Sequence, residues 1–155
     1  MVFVRPTNTV LVGGNPIVEE GLVTEGTTCK PGLFVKKGTG DHQVGLAGDK
    51  ARNVLGVVDY DARYKIADAF PDKHPVRVLK GNIVVVCTLK SGQNVAKGAR
   101  LMAAANGELQ EIMTQVVDES GTGSYTLYFD LLVGYAEESV DASGGAKSIM
   151  VRLVI

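Results

Sequence analysis

The stretch Val76-Arg77-Val78-Leu79-Lys80-Gly81-Asn82-Ile83-Val84-Val85-Val86-Cys87-Thr88 decides the fold class. Its first half alternates apolar and basic side chains with a period of two, the pattern of a half-buried strand. Gly81-Asn82 then supplies a turn, and a second run of β-branched residues follows. The two runs are expected to form a hairpin. The second is apolar on both faces, so it is expected to lie centrally, covered on both sides.

Working outward, the same grammar recurs. Thr9-Val10-Leu11-Val12 ends in the turn cluster Gly13-Gly14-Asn15-Pro16, and Leu33-Phe34-Val35-Lys36-Lys37 ends in Gly38-Thr39-Gly40-Asp41. Val54-Leu55-Gly56-Val57-Val58 stops at Asp59, Ser124-Tyr125-Thr126-Leu127-Tyr128-Phe129 is rich in β-formers, and Ser148-Ile149-Met150-Val151-Arg152-Leu153-Val154-Ile155 closes the chain as a strand. Helix signals are weak. Residues 62–70 predict about two helical turns, with Ile66 and Phe70 on one face, Asp61 as N-cap and Pro71 as stop. Residues 99–105 hold helix-favouring Ala, Leu and Met, but Asn106-Gly107 is a two-residue hairpin turn, and the stretch reads as a hairpin. The expected fold is mainly β, a compact barrel or sandwich-like body with at most one or two short helices.

One internal echo stands out. Lys30-Pro31-Gly32-Leu33-Phe34-Val35 leads through Gly40 and Val44 to Leu55-Gly56-Val57-Val58. Lys97-Gly98-Ala99-Arg100-Leu101-Met102 leads through Gly107 and Leu109 to Val133-Gly134-Tyr135-Ala136. A glycine free to take positive φ lets the chain reverse tightly before a strand that enters the core. Two readings stay open: a structural repeat over about 28–60 and 95–137, or the chance grammar of a glycine-rich β protein. The chain divides into an N-terminal arm with first strand, 1–27, and a β-rich core, 28–155.

Composition narrows the function. At 155 residues with 45% apolar content, the chain can bury a core as one domain or two small packed ones. Nineteen scattered glycines signal many turns, and 6% aromatics without Trp argue against an aromatic ligand cage. The net charge of −1, with both signs interspersed, gives no cationic stripe for nucleic acid. No apolar run approaches the ~20 residues of a membrane-spanning helix, and the N-terminus lacks a secretory profile. A soluble protein, synthesised in a host cytoplasm and needing neither nucleic acid nor membrane as partner, is expected.

Residues placed for chemistry are few. Cys29 and Cys87 have no CxxC context and no histidine at metal-ligand spacing, so each reads as a small buried apolar residue. His42 and His74 fall in loop-like stretches and read as exposed, with no nucleophile elbow near either. Gly144-Gly145-Ala146-Lys147-Ser148 superficially suggests the end of a phosphate loop, yet Ala146 stands where glycine belongs and a strand follows. Asp59-Tyr60-Asp61 lacks the spacing of a calcium loop. No catalytic residue, metal ligand or cofactor site is assigned. What remains is contact surface. Val2, Phe3, Val4 and Arg5 form an apolar arm set off by Pro6, either a strand added to a partner's sheet edge or an ordinary first strand. Tyr60, Tyr64 and Phe70 cluster near one loop as a second candidate interface.

The block from Val54-Leu55-Gly56-Val57-Val58 through Tyr60 and Asp68-Ala69-Phe70, then Pro75-Val76-Arg77-Val78-Leu79-Lys80-Gly81, carries a family resemblance. It continues through Leu89-Lys90-Ser91-Gly92-Gln93-Asn94-Val95-Ala96-Lys97-Gly98, Leu101 and Asn106-Gly107-Glu108-Leu109 to Val133-Gly134-Tyr135-Ala136-Glu137 and Ile149-Met150-Val151-Arg152-Leu153. In order and spacing it resembles the head decoration, or cement, proteins of tailed bacteriophages over roughly 28–155. The pattern departs around Glu119, where an extra loop and strand are read. The resemblance implies a compact β-rich fold of β-tulip type. It also implies homotrimers on the capsid exterior that bind the major capsid protein and stabilise its lattice. The alternative is a small β-sandwich adhesion or carbohydrate-binding module, which needs an exposed aromatic platform.

Overall fold

The computed structural model describes residues 8–113 and 131–155. The arm residues Val2, Phe3, Val4 and Arg5, and the strand and loop expected around Glu119 and over 124–129, lie outside the described residues. The elements are β1 (Leu11–Gly13), β2 (Ile17–Thr24), β3 (Phe34–Lys37), β4 (Gln43–Leu46), β5 (Val54–Val58), β6 (Pro75–Lys80) and β7 (Val84–Leu89). They continue as β8 (Asn94–Val95), β9 (Arg100–Ala103), β10 (Leu109–Glu111), β11 (Leu132–Ala136), β12 (Val140–Asp141) and β13 (Lys147–Leu153). A 3-10 turn, Ala105–Gly107, lies between β9 and β10. The mainly β, barrel-like body expected from the sequence is the one observed.

Two closed sheets carry the fold. The first is a ring in the order β2-β4-β3-β5-β6, and β2, which begins before residue 28, is a full member of it. The second runs β7-β10-β9-β11-β13, closes through a β7–β13 ladder, and has β1 added along β7. The two orders match strand for strand. In each, one pairing is parallel (β2 with β4, β7 with β10) and the rest are antiparallel. Hydrogen bonds match as well. The Gly32 amide donates to the Val58 carbonyl at 2.9 Å, and the Gly98 amide to Ala136 at 2.7 Å. The Asp59 amide donates to Arg77 and the Glu137 amide to Met150, both at 2.9 Å.

Strand alternation then sorts the side chains. Leu22, Val35, Val44, Val58, Val76 and Val78 fill the first ring. Their counterparts Cys87, Leu101, Leu109, Ala136, Ile149 and Val151 fill the second. On the outside of the first ring, Phe34, Val57 and Leu79 are fully buried because they pack into the second ring's cluster. Burial of that outer face, at roughly 1.5–3 kcal/mol per large apolar side chain, holds the rings together.

Three expectations are corrected. The runs flanking Gly81-Asn82 are both strands, but they do not form a hairpin. β6 pairs with β2 and β5, whereas β7 pairs with β1, β10 and β13. The turn carries the chain from one ring to the other, and the Gly81 amide donates to the Ile155 carbonyl at 2.6 Å. The expected central position of β7 holds, with buried and half-buried residues alternating along it. Residues 62–70 are two separate turns, closed by Tyr64 N–H to Asp61 O and Asp68 N–H to Lys65 O. The Asp61 and Asp68 carboxylates accept from the Arg63 and Lys65 amides, which competes with helical bonding. The third correction is His74, which is 8% exposed rather than solvated. The 99–105 stretch pairs as a hairpin, β9 with β10, with Asn106 at φ 61° in its turn.

Candidate functional site

One difference between the two rings lies where β5 meets β6. In the second ring the equivalent connection, 137–146, is short, and its β12 simply pairs with β8. In the first ring, residues 59–74 make a longer excursion that carries Tyr60, Asp61, Arg63, Tyr64, Phe70 and His74.

Local bonding fixes this excursion. The Asp61 carboxylate accepts from the Arg63 amide at 3.0 Å and from the Arg63 guanidinium at 2.7–3.1 Å, and His74 Nε2 lies 3.1 Å from its Oδ2. Hydrogen bonds from the Arg63 side chain and amide, with His74 adding a smaller share, hold the Asp61 carboxyl well below the usual carboxylate range. Buried Thr24, at the end of β2, clamps the other side. Its amide donates to His74 O at 2.9 Å, its hydroxyl donates to Pro71 O at 2.6 Å and accepts from the His74 amide at 3.0 Å. Phe70 stacks on His74 with ring centroids 4.8 Å apart, and Tyr64 meets both rings edge-on at 5.4 and 5.0 Å. Such pairs add about 0.5–1.5 kcal/mol each beyond area burial. These bonds and ring contacts brace the loop against β2.

Its surface forms a cleft of about 440 Å³ against β2 and β6, lined by Glu20, Asp59, Tyr60, Arg63, Phe70 and Arg77. Arg77 reaches Glu20 and Asp59, each at 3.3 Å. An adjoining groove shares Tyr60 and Arg63 with the cleft and adds Asn8, Tyr64 and Lys65. Of the residues singled out from the sequence, Tyr60 and Tyr64 are half-buried and line these hollows, while Phe70 is buried at 1% exposure and supports them from beneath. Phe70 is covered, so its ring presents no open face on which a sugar could stack.

Glu20, Arg77 and Thr24 are site residues that sequence reasoning missed. Each comes from a different element than the aromatic loop, and the salt link from Arg77 to Glu20 spans strands remote in sequence. Every carboxylate at the cleft faces a guanidinium, and His74 is engaged by Asp61 and two rings. Cys29 and Cys87 are free and buried; burial pushes the Cys29 thiol up to about 12 and raises that of Cys87 as well.

A family model described as structural cement protein (E217 gp24/Pam3 gp6) matches residues 8–151. Among solved structures, the head fiber gp8.5 N base of bacteriophage phi29 is similar at 10% sequence identity and a TM-score of 0.47, over 90% of this chain and 95% of that one. No curated protein matches the chain.

Proposed function

The chain belongs to the structural cement protein family of phages, and from that premise we propose how its surface performs the role. It is a structural component of the phage head that binds capsid protein. In our reading it does so as a homotrimer on the outer face of the shell, bridging subunits of the major capsid protein and catalysing no reaction. The contact surface is the 59–74 excursion, with Tyr60 and Tyr64 at the partner and Phe70 as their support. The arm residues Val2, Phe3, Val4 and Arg5 are a second contact.

The observation that carries this reading is the departure of 59–74 from the scaffold that the two rings share. Where two sheets agree strand for strand, a long, internally braced loop on one of them has no role in closing the ring. Binding residues concentrate on such loops when a rigid scaffold positions them. The Arg63–Asp61–His74 links and the aromatic packing lower the entropic cost of ordering on contact. Three chains acting together then multiply individually modest contacts into firm attachment.

The test is re-addition of purified chain to heads stripped of it, with bound copies counted after sedimentation. Tyr60→Ser and Tyr64→Ser are each expected to lower occupancy at limiting concentration by about tenfold, the loss of roughly 1.4 kcal/mol per site. Deletion of the first five residues is expected to act in the same direction. Wild-type occupancy by all three variants would refute the assigned surface.

A further inference from the structure

The matched rings meet asymmetrically, and that asymmetry identifies a second interface. The first ring presents the outer side of β3, β5 and β6: Phe34, Val57 and Leu79, in register with one another. The second ring receives this side on two features. One is β7 at Val86, whose carbonyl lies 3.0 Å from where a side chain on Gly32 would begin. The other is the β9–β10 turn, where the Gly107 amide donates to Ala47 O at 2.9 Å and a Cβ at Gly107 would stand 2.6 Å from Phe34 O. The contact is head to tail, so each ring has a presenting side and a receiving side. One of each stays unused.

The unused presenting side lies on the second ring. Register places Arg100 where the first ring has Phe34, Tyr135 where it has Val57, and Arg152 where it has Leu79. These three are exposed, Tyr135 to 38%, on one face with an arginine on each neighbouring strand. The unused receiving side lies on the first ring. A bulge on β2 puts Glu20 and Gly21 at the station of Val86. The β3–β4 turn takes the place of the β9–β10 turn, with His42 at φ 60° at the station of Gly107, which has φ 70°. Glu20, Gly21, Asp41 and His42 are all exposed.

The free sides are complementary in charge. On one, Arg100 and Arg152, the latter also bonded to Glu137, flank a tyrosine, a composition enriched at interface centres; on the other stand Asp41 and Glu20, the latter also reached by Arg77. We propose that a second copy of the chain docks the Glu20–Gly21 strand and Asp41–His42 turn of its first ring onto the Arg100–Tyr135–Arg152 face of the second ring. This deepens the homotrimer reading and rests on it, because a head-to-tail contact between copies builds a ring where its rotation closes, and never a twofold pair. The buried intramolecular joint is apolar and permanent. The intermolecular one is polar, which suits a contact made and broken as trimers assemble. By the intramolecular precedent of Phe34 against the Gly107 turn, Arg100 of one copy faces the Asp41 turn of the next.

A charge swap on the full chain tests this, read by sedimentation velocity over a concentration series. Arg100→Glu and Asp41→Arg alone are each expected to raise the dissociation constant of the oligomer about tenfold or more, and together to restore it to within about threefold of wild type. Both side chains are exposed, and unchanged circular dichroism confirms that each variant folds. Oligomers unaffected by either reversal overturn the docking and leave the trimer standing on another face. Loss of head binding by Arg100→Glu without a change in solution mass assigns the face to capsid protein and also overturns the docking. A wild-type chain that is monomeric throughout the series and on heads overturns docking and trimer together.

Discussion

Gly56 and Gly134 occupy the same station in two rings. Gly56, in β5, pairs with Val35, and Gly134, in β11, pairs with Leu101. At each, the next strand passes so close that a side chain has no room. A Cβ on Gly56 would fall within contact of the Leu79 carbonyl and 2.8 Å from Val78 Cγ1; one on Gly134 would crowd the Arg152 carbonyl and stand 2.7 Å from Val151 Cγ1. The missing side chains let β6 and β13 close their rings over filled interiors.

Replacing either glycine by alanine therefore forces the closing strand outward. Gly56→Ala and Gly134→Ala are each expected to destabilise the chain by about 2–3 kcal/mol, the upper range for overpacking. Gly144→Ala and Gly48→Ala, where a Cβ meets nothing within 4 Å, are expected to stay within about 0.5 kcal/mol of wild type. Urea unfolding of the four variants checks this. Equal losses at all four positions would mean that close approach is not what these two glycines provide.

Thr24 offers a sharper test of the loop clamp. Its hydroxyl is buried between the His74 amide and the Pro71 carbonyl. Thr24→Val keeps shape and volume but leaves both backbone groups without that partner, a loss of about 2–3 kcal/mol. Thr24→Ser keeps the hydroxyl and is expected to cost about 1 kcal/mol, one methyl group. Thermal melting separates them. If valine proves as stable as serine, the hydroxyl does not brace the loop.

How far the sequence was readable follows from what each feature depends on. The strands at 54–58, 75–80 and 147–153 were legible because alternation and flanking turns are local. The partner of each strand was not, since Val76–Lys80 and Val84–Thr88 look like hairpin arms until burial of Leu79 against the second ring pulls them apart. β2, the longest strand among the described residues, escaped notice because Glu19, Glu20 and Gly21 interrupt its alternation at a bulge. The aromatic trio at the site was legible as a cluster. Phe70's burial and His74's place beneath it were not, because both follow from Thr24, about fifty positions away in the chain.

Acid should weaken the chain partly through Asp61. Its folded-state carboxyl titrates below the ordinary range, so the unfolded chain binds a proton first as pH falls. The stabilisation it provides is complete above the unfolded value, about 4, and is lost progressively below it, towards the depressed folded value. Urea unfolding across about pH 2–6 is expected to show a shallower acid slope for Asp61→Asn than for wild type, and the curves should converge at the acid end. Parallel curves would place the acid sensitivity elsewhere.

The two thiols should behave as core atoms. Cys87 lies inside the second ring and Cys29 beneath Phe70, whose amide donates to the Cys29 carbonyl at 2.8 Å. Thiolate is the reactive form, and burial disfavours it at both positions. A small aromatic disulfide reagent at pH 8 is therefore expected to label neither cysteine within minutes in the folded chain, and both within seconds in denaturant. The labelling rate also reports local opening, since Cys29 belongs to the first ring's core and Cys87 to the second's. If the rings unfold as one unit, both thiols become reactive at the same urea concentration. Earlier labelling of Cys29 would show that the first ring opens while the second persists, despite the joint through Phe34, Val57 and Leu79.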